Sequence, residues 1–199
     1  MAAASGISAL NAQVDQTVKV DVKEIATQEQ KTPQFQVNGV KDHVWRPKNW
    51  LEIDLAMDVK KAKTPGDNTT MVDSLEVKYF IGLNAMDANK KNYVLTGTMT
   101  LQNVPTKAGE HAHVLAYVSP SVLRRLLGEN KPFTASADIK AKAVEISYGG
   151  QVIGGFPIGQ GKWWEDLSKF AVVDGEILAK SKTPFASLWG DYDVDVKTK

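Results

Sequence analysis

The sequence predicts an all-β protein, an antiparallel sandwich or barrel interrupted by two short helices. Three observations carry this reading. Apolar and polar residues alternate with period two along most of the chain, and about ten strand candidates follow one another at intervals of roughly ten residues. Clusters of Gly, Pro, Asn and Asp separate them, and only two short stretches show helical spacing.

The first alternating stretch sets Val18, Val20 and Val22 against Lys19, Asp21 and Lys23. Asn38-Gly39, between Phe35-Gln36-Val37 and Val40, has the composition of a two-residue hairpin turn, whose glycine takes the positive φ such a turn requires. The clearest strand has Leu51, Ile53, Leu55, Met57 and Val59 on one face and Glu52, Asp54, Ala56 and Asp58 on the other, one side buried and one wet. Leu75, Val77, Tyr79, Ile81 and Leu83 share the face of a second. Tyr93, Leu95, Met99 and Leu101 stand opposite Val94, Thr96, Thr98 and Thr100 on a third. Buried positions are expected at Leu51, Ile53, Leu55, Val77, Tyr79, Ile81 and Leu95. Residues 63–70 and 87–92 read as loops.

A helix is predicted after Ser119, an N-cap followed by Pro120 at the first helical position, with Val122, Leu123, Leu126 and Leu127 on one face and Gly128 as its stop. Further on, Ile139, Ala141 and Ala143 alternate with polar residues, and the apolar phase then slips by one to Val144, Ile146 and Tyr148. A slip without a turn residue implies a bulge. Gly149-Gly150 closes a hairpin into Val152-Ile153, and Asp174-Gly175 is read as closing another between residues 170–173 and 176–178. A second helix is expected over Pro184 to Trp189, capped by Thr183 and ended by Gly190, and a last strand through Tyr192, Val194 and Val196.

Composition narrows the classes of function. The 199 residues carry 24 basic and 23 acidic side chains, a formal net charge of +1, and no cysteine. Disulfide frameworks and cysteine-based metal clusters are excluded, and the basic footprint of a nucleic-acid binder is missing. No apolar run approaches the roughly 18 residues of a membrane-spanning helix. Met1 to Ala12 are small and mostly uncharged, and the chain turns polar at Gln13. Residues 1–12 are therefore read as a leader or the remnant of an export signal, and 13–199 as a single β-sandwich domain.

Catalytic chemistry is not visible in the sequence. His111-Ala112-His113 on a strand puts two imidazoles on one face, one way to begin a zinc site, but solvent-facing alternation explains it equally; His43 stands apart. Gly149-Gly150, Gly154-Gly155 and Gly159-Gln160-Gly161 lack the Gly-Lys-Ser/Thr of a phosphate loop and the strand, GxGxxG and helix order of a dinucleotide site. No nucleophile-elbow or HExxH motif occurs, and Asp54 and Asp58 are read as part of a solvated strand face. No catalytic residue, metal ligand or cofactor is assigned, and the protein is read as not an enzyme.

Five tryptophans are the least average feature: Trp45, Trp50, Trp163, Trp164 and Trp189. Trp45, Trp50 and Trp189 are assigned as structural anchors at element boundaries, and Trp163 and Trp164 as candidates for contact with a partner. Adjacent rings on an extended chain face opposite ways, so at most one of that pair joins a flat platform.

Two stretches carry a resemblance. Trp45-Arg46-Pro47-Lys48-Asn49-Trp50-Leu51-Glu52-Ile53 resembles the W-x-P-x-x-W-L-E-I opening of the first long strand in a family of verrucomicrobial envelope proteins. Thr183-Pro184-Phe185-Ala186-Ser187-Leu188-Trp189 is similar to that family's T-P-F-A-x-L-W ending. The best-placed members of that family are encoded beside type IV pilus assembly genes. The resemblance implies an immunoglobulin-like antiparallel β-sandwich, exported to the periplasm or the outer membrane, non-enzymatic, with an accessory, structural or adhesive role linked to pili. Its partners would be envelope or pilus proteins, reached through loops and free strand edges. It brings no catalytic residues, and this chain lacks the long hydrophobic helix of a polymerising pilin. The alternative is a carbohydrate-binding module on the same fold class, taking surface glycans.

Overall fold

The computed structural model describes residues 18–36, 38–39, 41, 45–62, 66, 68–107, 109–158 and 161–197, with side chains of 156–158 excepted. The leader assigned to residues 1–12, His43, the residues Val37 and Val40 that flank Asn38-Gly39, and Gly159-Gln160 lie outside the described residues. Two sheets face each other. The four-stranded sheet has the order β1 (Val18–Lys31), β2 (Asn49–Lys61), β7 (Ala112–Val118) and β11 (Leu178–Ala179). The six-stranded sheet runs β10 (Ala171–Val173), β5 (Asn92–Gln102), β4 (Leu75–Met86), β8 (Ile139–Tyr148) and β9 (Gln151–Ile158), with β12 (Asp195–Val196) also on β5. A two-stranded ribbon of β3 (Met71–Val72) and β6 (Val104–Pro105) sits beside them.

Period two does what the patterning requires. Leu51, Ile53 and Leu55 from β2 meet Val77, Tyr79 and Ile81 from β4 and Leu95 from β5 in one core shared by both sheets, and all seven are fully buried. Helix α1 (Pro120–Leu127) starts where Ser119 Oγ accepts from the Val122 amide at 3.4 Å, and it buries Val122 and Leu123. Tyr148 and Gln151 pair across Gly149-Gly150, both glycines at positive φ (57° and 79°), as the hairpin signal predicts.

Several local expectations are corrected. Asn38-Gly39 does turn, with Gly39 at φ 82°, but Phe35 and Gln36 are not in a strand. The loop between β1 and β2 closes at its base instead, where the Thr32 amide donates to the Lys48 carbonyl at 3.0 Å. The bulge in β8 falls at Lys140, because Gly82 pairs with Ala141 and Leu83 with Ile139. Ala143 then faces outward beneath Trp164 while Val144 faces the core, so two adjacent apolar residues are buried on opposite faces without a flip between them. Asp174-Gly175 is not a hairpin turn: β10 lies parallel to β5, and the turn hands the chain across to β11 in the other sheet. Gly97 makes that crossing possible, since a Cβ there would stand 2.6 Å from the Ile177 carbonyl oxygen. The second helix is α2 (Ala135–Asp138), which follows Thr134 without a side-chain cap, and residues 184–189 form consecutive turns instead. A helix this short depends on its tertiary contacts, and here Phe185 packs onto the sheet while Trp189 turns left-handed at φ 51°. Tyr192 does not continue into β12; it crosses to the outer face of the four-stranded sheet.

Candidate functional site

The outer face of the four-stranded sheet brings together polar side chains from β1, β2 and β7. Register puts Gln28 of β1 and Tyr117 of β7 on either side of Glu52, and Ala26 and Leu115 on either side of Asp54. The C-terminal segment roofs this face. Phe185 stacks on Tyr117 with centroids 4.4 Å apart and meets Trp50 edge-on at 5.7 Å, so Leu115, Tyr117 and Phe185 form a second apolar cluster, with Trp50 and Leu188 packed against it.

That roof buries what would otherwise be a solvated carboxylate. Glu52 is only 5% exposed, and its two oxygens accept from Gln28 Nε2 at 2.6 Å and from the Tyr117 hydroxyl at 2.8 Å. A buried charge needs such bonds, because an unpaired one is expensive in a low dielectric. Burial first, and the bond to Glu52 second, push the Tyr117 hydroxyl well above its usual value, so it stays a donor. Two residues along, Asp54 accepts from the Tyr192 hydroxyl at 2.6 Å and lies 2.9 Å from His113 Nδ1, while the rings of Tyr192 and His113 meet at a 33° tilt with centroids 4.5 Å apart. Tyr192 is raised to about 12, by burial and then by the bond to Asp54.

The roof itself is pinned from beneath. Lys180 is buried, donates to the carbonyls of Leu188 at 2.8 Å and Trp189 at 3.1 Å, and forms an ion pair with Asp193. These bonds hold the turn in which Trp189 takes positive φ, a conformation that costs a bulky residue on the order of 1–3 kcal/mol. Between turn and sheet lies a cleft of 210 Å³ lined by Gln28, Gln30, Glu52, Asp54, Leu115, Trp189 and Tyr192.

The Asp54, His113 and Tyr192 group has the residue types of an acid–base relay but not its geometry. Asp54 and Tyr192 both contact the same ring nitrogen, His113 Nδ1, whereas a relay passes a proton through the two different nitrogens. Tyr192 also remains protonated far above neutral pH. The group's bonds tie Tyr192 of the C-terminal segment to Asp54 of β2 and His113 of β7. His111 sits apart on Asp58 at 2.5 Å, and among the described residues no group of three or more His, Asp or Glu is placed to hold a metal.

The tryptophans divide by environment. Trp50 is half-buried, its Nε1 donating to Thr32 Oγ1 at 3.1 Å. Trp164 is buried on Phe80 at 6.3 Å on the outer face of the six-stranded sheet, and Trp163 packs edge-on against it and against Phe170. Trp45 and Trp189 are 46% and 42% exposed and lie outside the sandwich core. Sequence reasoning counted Glu52 and Asp54 among the solvated residues and did not single out Gln28, Gln30 or Lys180. The one available signal was Lys180 itself, a lysine directly following the apolar run Ile177-Leu178-Ala179.

One protein-family model matches residues 11–199. A crystal structure of a protein from Akkermansia muciniphila superposes with a TM-score of 0.78 at 21% identity, over 92% of this chain and 94% of that one, a likeness that speaks to the fold. No curated protein matches the chain.

Proposed function

We propose a function from one premise: the chain belongs to the family whose model spans residues 11–199. It is an exported, non-enzymatic protein of the cell envelope, an immunoglobulin-like sandwich that serves type IV pili in an accessory, structural or adhesive role. Partners are envelope or pilus proteins, bound through loops and free strand edges.

The observation that carries this reading is the meeting of the two stretches that resemble verrucomicrobial envelope proteins. They lie more than a hundred residues apart in the chain, yet Trp50 of the first and Phe185 of the second are in edge-to-face contact at 5.7 Å, with Leu188 in the same cluster. Both stretches therefore belong to one packed unit of the fold. Akkermansia is itself a verrucomicrobial organism, which agrees with that source. A non-enzymatic role is supported by the Asp54, His113 and Tyr192 geometry described above. Exposed apolar side chains at Phe35 and Trp45 in the long loop after β1, and at Val152 on the edge strand β9, give surfaces of the kind partners use.

Cell fractionation with an antibody to this chain tests the proposal. Recovery in the periplasmic or outer-membrane fraction, with pilus assembly proteins in the same cross-linked complexes, is expected. Recovery in the cytosol alone would overturn it.

A further inference from the structure

We propose that the cleft beneath the turn at residues 189–192 is a subsite for one uncharged sugar ring. This goes beyond the envelope role and does not depend on it. The argument starts from size: 210 Å³ is below the roughly 300–1,000 Å³ of pockets for drug-sized ligands, so the cleft takes one small group. Its lining is equally specific. Trp189 offers a large, 42% exposed ring beside Tyr192 at the wall, Leu115 supplies an apolar floor, and Gln28, Gln30, Glu52 and Asp54 supply polar groups around it.

The hydrogen-bonding capacity left over decides the ligand class. Each of the four carboxylate oxygens of Glu52 and Asp54 already has one neighbour, from Gln28, Tyr117, His113 and Tyr192, and each can accept a second bond. The two glutamine amides both donate and accept. A ring carrying several hydroxyls, each of which donates and accepts, matches that mixture, with its apolar face against the indole. A primary ammonium, which only donates, would leave the amide donors unused. Anionic sugars are disfavoured, because the lining carries the carboxylates Glu52 and Asp54 and no Lys or Arg, and Lys180 beneath the turn is engaged by Asp193. The site is also preorganised: Lys180 holds the carbonyls of Leu188 and Trp189, Tyr192 is tied to Asp54, and Glu52 is fixed from both sides. A ligand would find its polar contacts already oriented, which reduces the entropic penalty of binding.

The test uses the full chain, titrated by calorimetry and tryptophan emission with galactose, N-acetylglucosamine and N-acetylgalactosamine, with sialic acid and n-butylamine as charged comparisons. The variants are Trp189→Ala and Gln30→Ala, each checked for an unchanged melting temperature. Saturable binding of at least one neutral sugar is expected, with Kd near about 1 mM, no binding of sialic acid, and about tenfold weaker binding in Trp189→Ala. Should Trp189→Ala fold poorly, weakened binding in Gln30→Ala, whose side chain is half-exposed on the cleft wall, carries the same expectation. No saturable response to any of the three neutral sugars would overturn the proposal. So would equal binding by folded variants, or a response to n-butylamine alone, which would make the cleft a cation site.

Discussion

Gly97→Ala isolates the contact on which the crossing between the sheets depends. Gly97 lies in β5 opposite Tyr79, and a Cβ built there would stand 2.6 Å from the Ile177 carbonyl oxygen and 2.8 Å from the Ile177 Cβ. Both distances are below van der Waals contact, and the obstruction includes backbone, which cannot rotate aside as the tip of a flexible side chain would. The strand or the crossing must therefore move. Ile177 is buried in the shared core, and Thr96, next to Gly97, hydrogen-bonds Asp174 on the same crossing, so movement there disturbs packing and a hydrogen bond together. Overpacking of this kind costs about 1–3 kcal/mol. At roughly 2–4 °C per kcal/mol for a chain of this length, the melting temperature should fall by about 2–12 °C. Thermal and urea unfolding of the wild type, Gly97→Ala and Gly190→Ala measure it. Gly190 is the control, because its added Cβ would meet nothing within 4 Å and its φ is not positive. If Gly97→Ala unfolds within about 0.5 kcal/mol of the wild type, the inferred close approach of Ile177 to β5 is wrong.

Leu55→Ala, at the fully buried centre of β2, should destabilise by about 2–5 kcal/mol in urea unfolding, and a loss under about 0.5 kcal/mol would mean that β2 faces the other way. Phe185→Ala should cost about 3–5 kcal/mol, whereas Trp189→Ala should cost less than about 1 kcal/mol because that ring is 42% exposed and belongs to no buried apolar cluster; the reverse order would make Trp189 the anchor of the C-terminal roof. Tyr192 is raised to about 12, so its contribution to stability is complete below its ordinary value near about 10 and is lost as pH rises from there through 12. The difference between the alkaline absorbance titrations of the wild type and Tyr192→Phe should therefore show one phenol ionising near 12, and a missing phenol that ionises near its ordinary value instead would contradict the bond to Asp54.

The two faces of each long strand differed in how far local pattern could identify their environment. Inward-facing residues of β2, β4 and β5 were legible because period-two alternation is imposed by backbone geometry, and one wet and one dry side follow from it wherever a strand covers a core. Ser119-Pro120 and Gly149-Gly150 were legible for the same reason, since a cap and a tight turn are satisfied within a few residues. Outward-facing residues were not. Alternation alone marks Glu52, Asp54 and Phe80 as outward, but whether an outward face is wet depends on what a distant segment does. Here residues 163–170 cover Phe80 and residues 185–192 cover Glu52 and Asp54. The same limit explains Pro184 to Trp189, whose i, i+3 and i+4 spacing reads as a helix. Lys180, bonded to the carbonyls of Leu188 and Trp189, holds the chain in turns that local propensity does not encode. Local sequence therefore determined strands, caps and core faces, while tertiary packing alone decided the cleft, because its walls come from β1, β2, β7 and a C-terminal turn that meet only once the sandwich has closed.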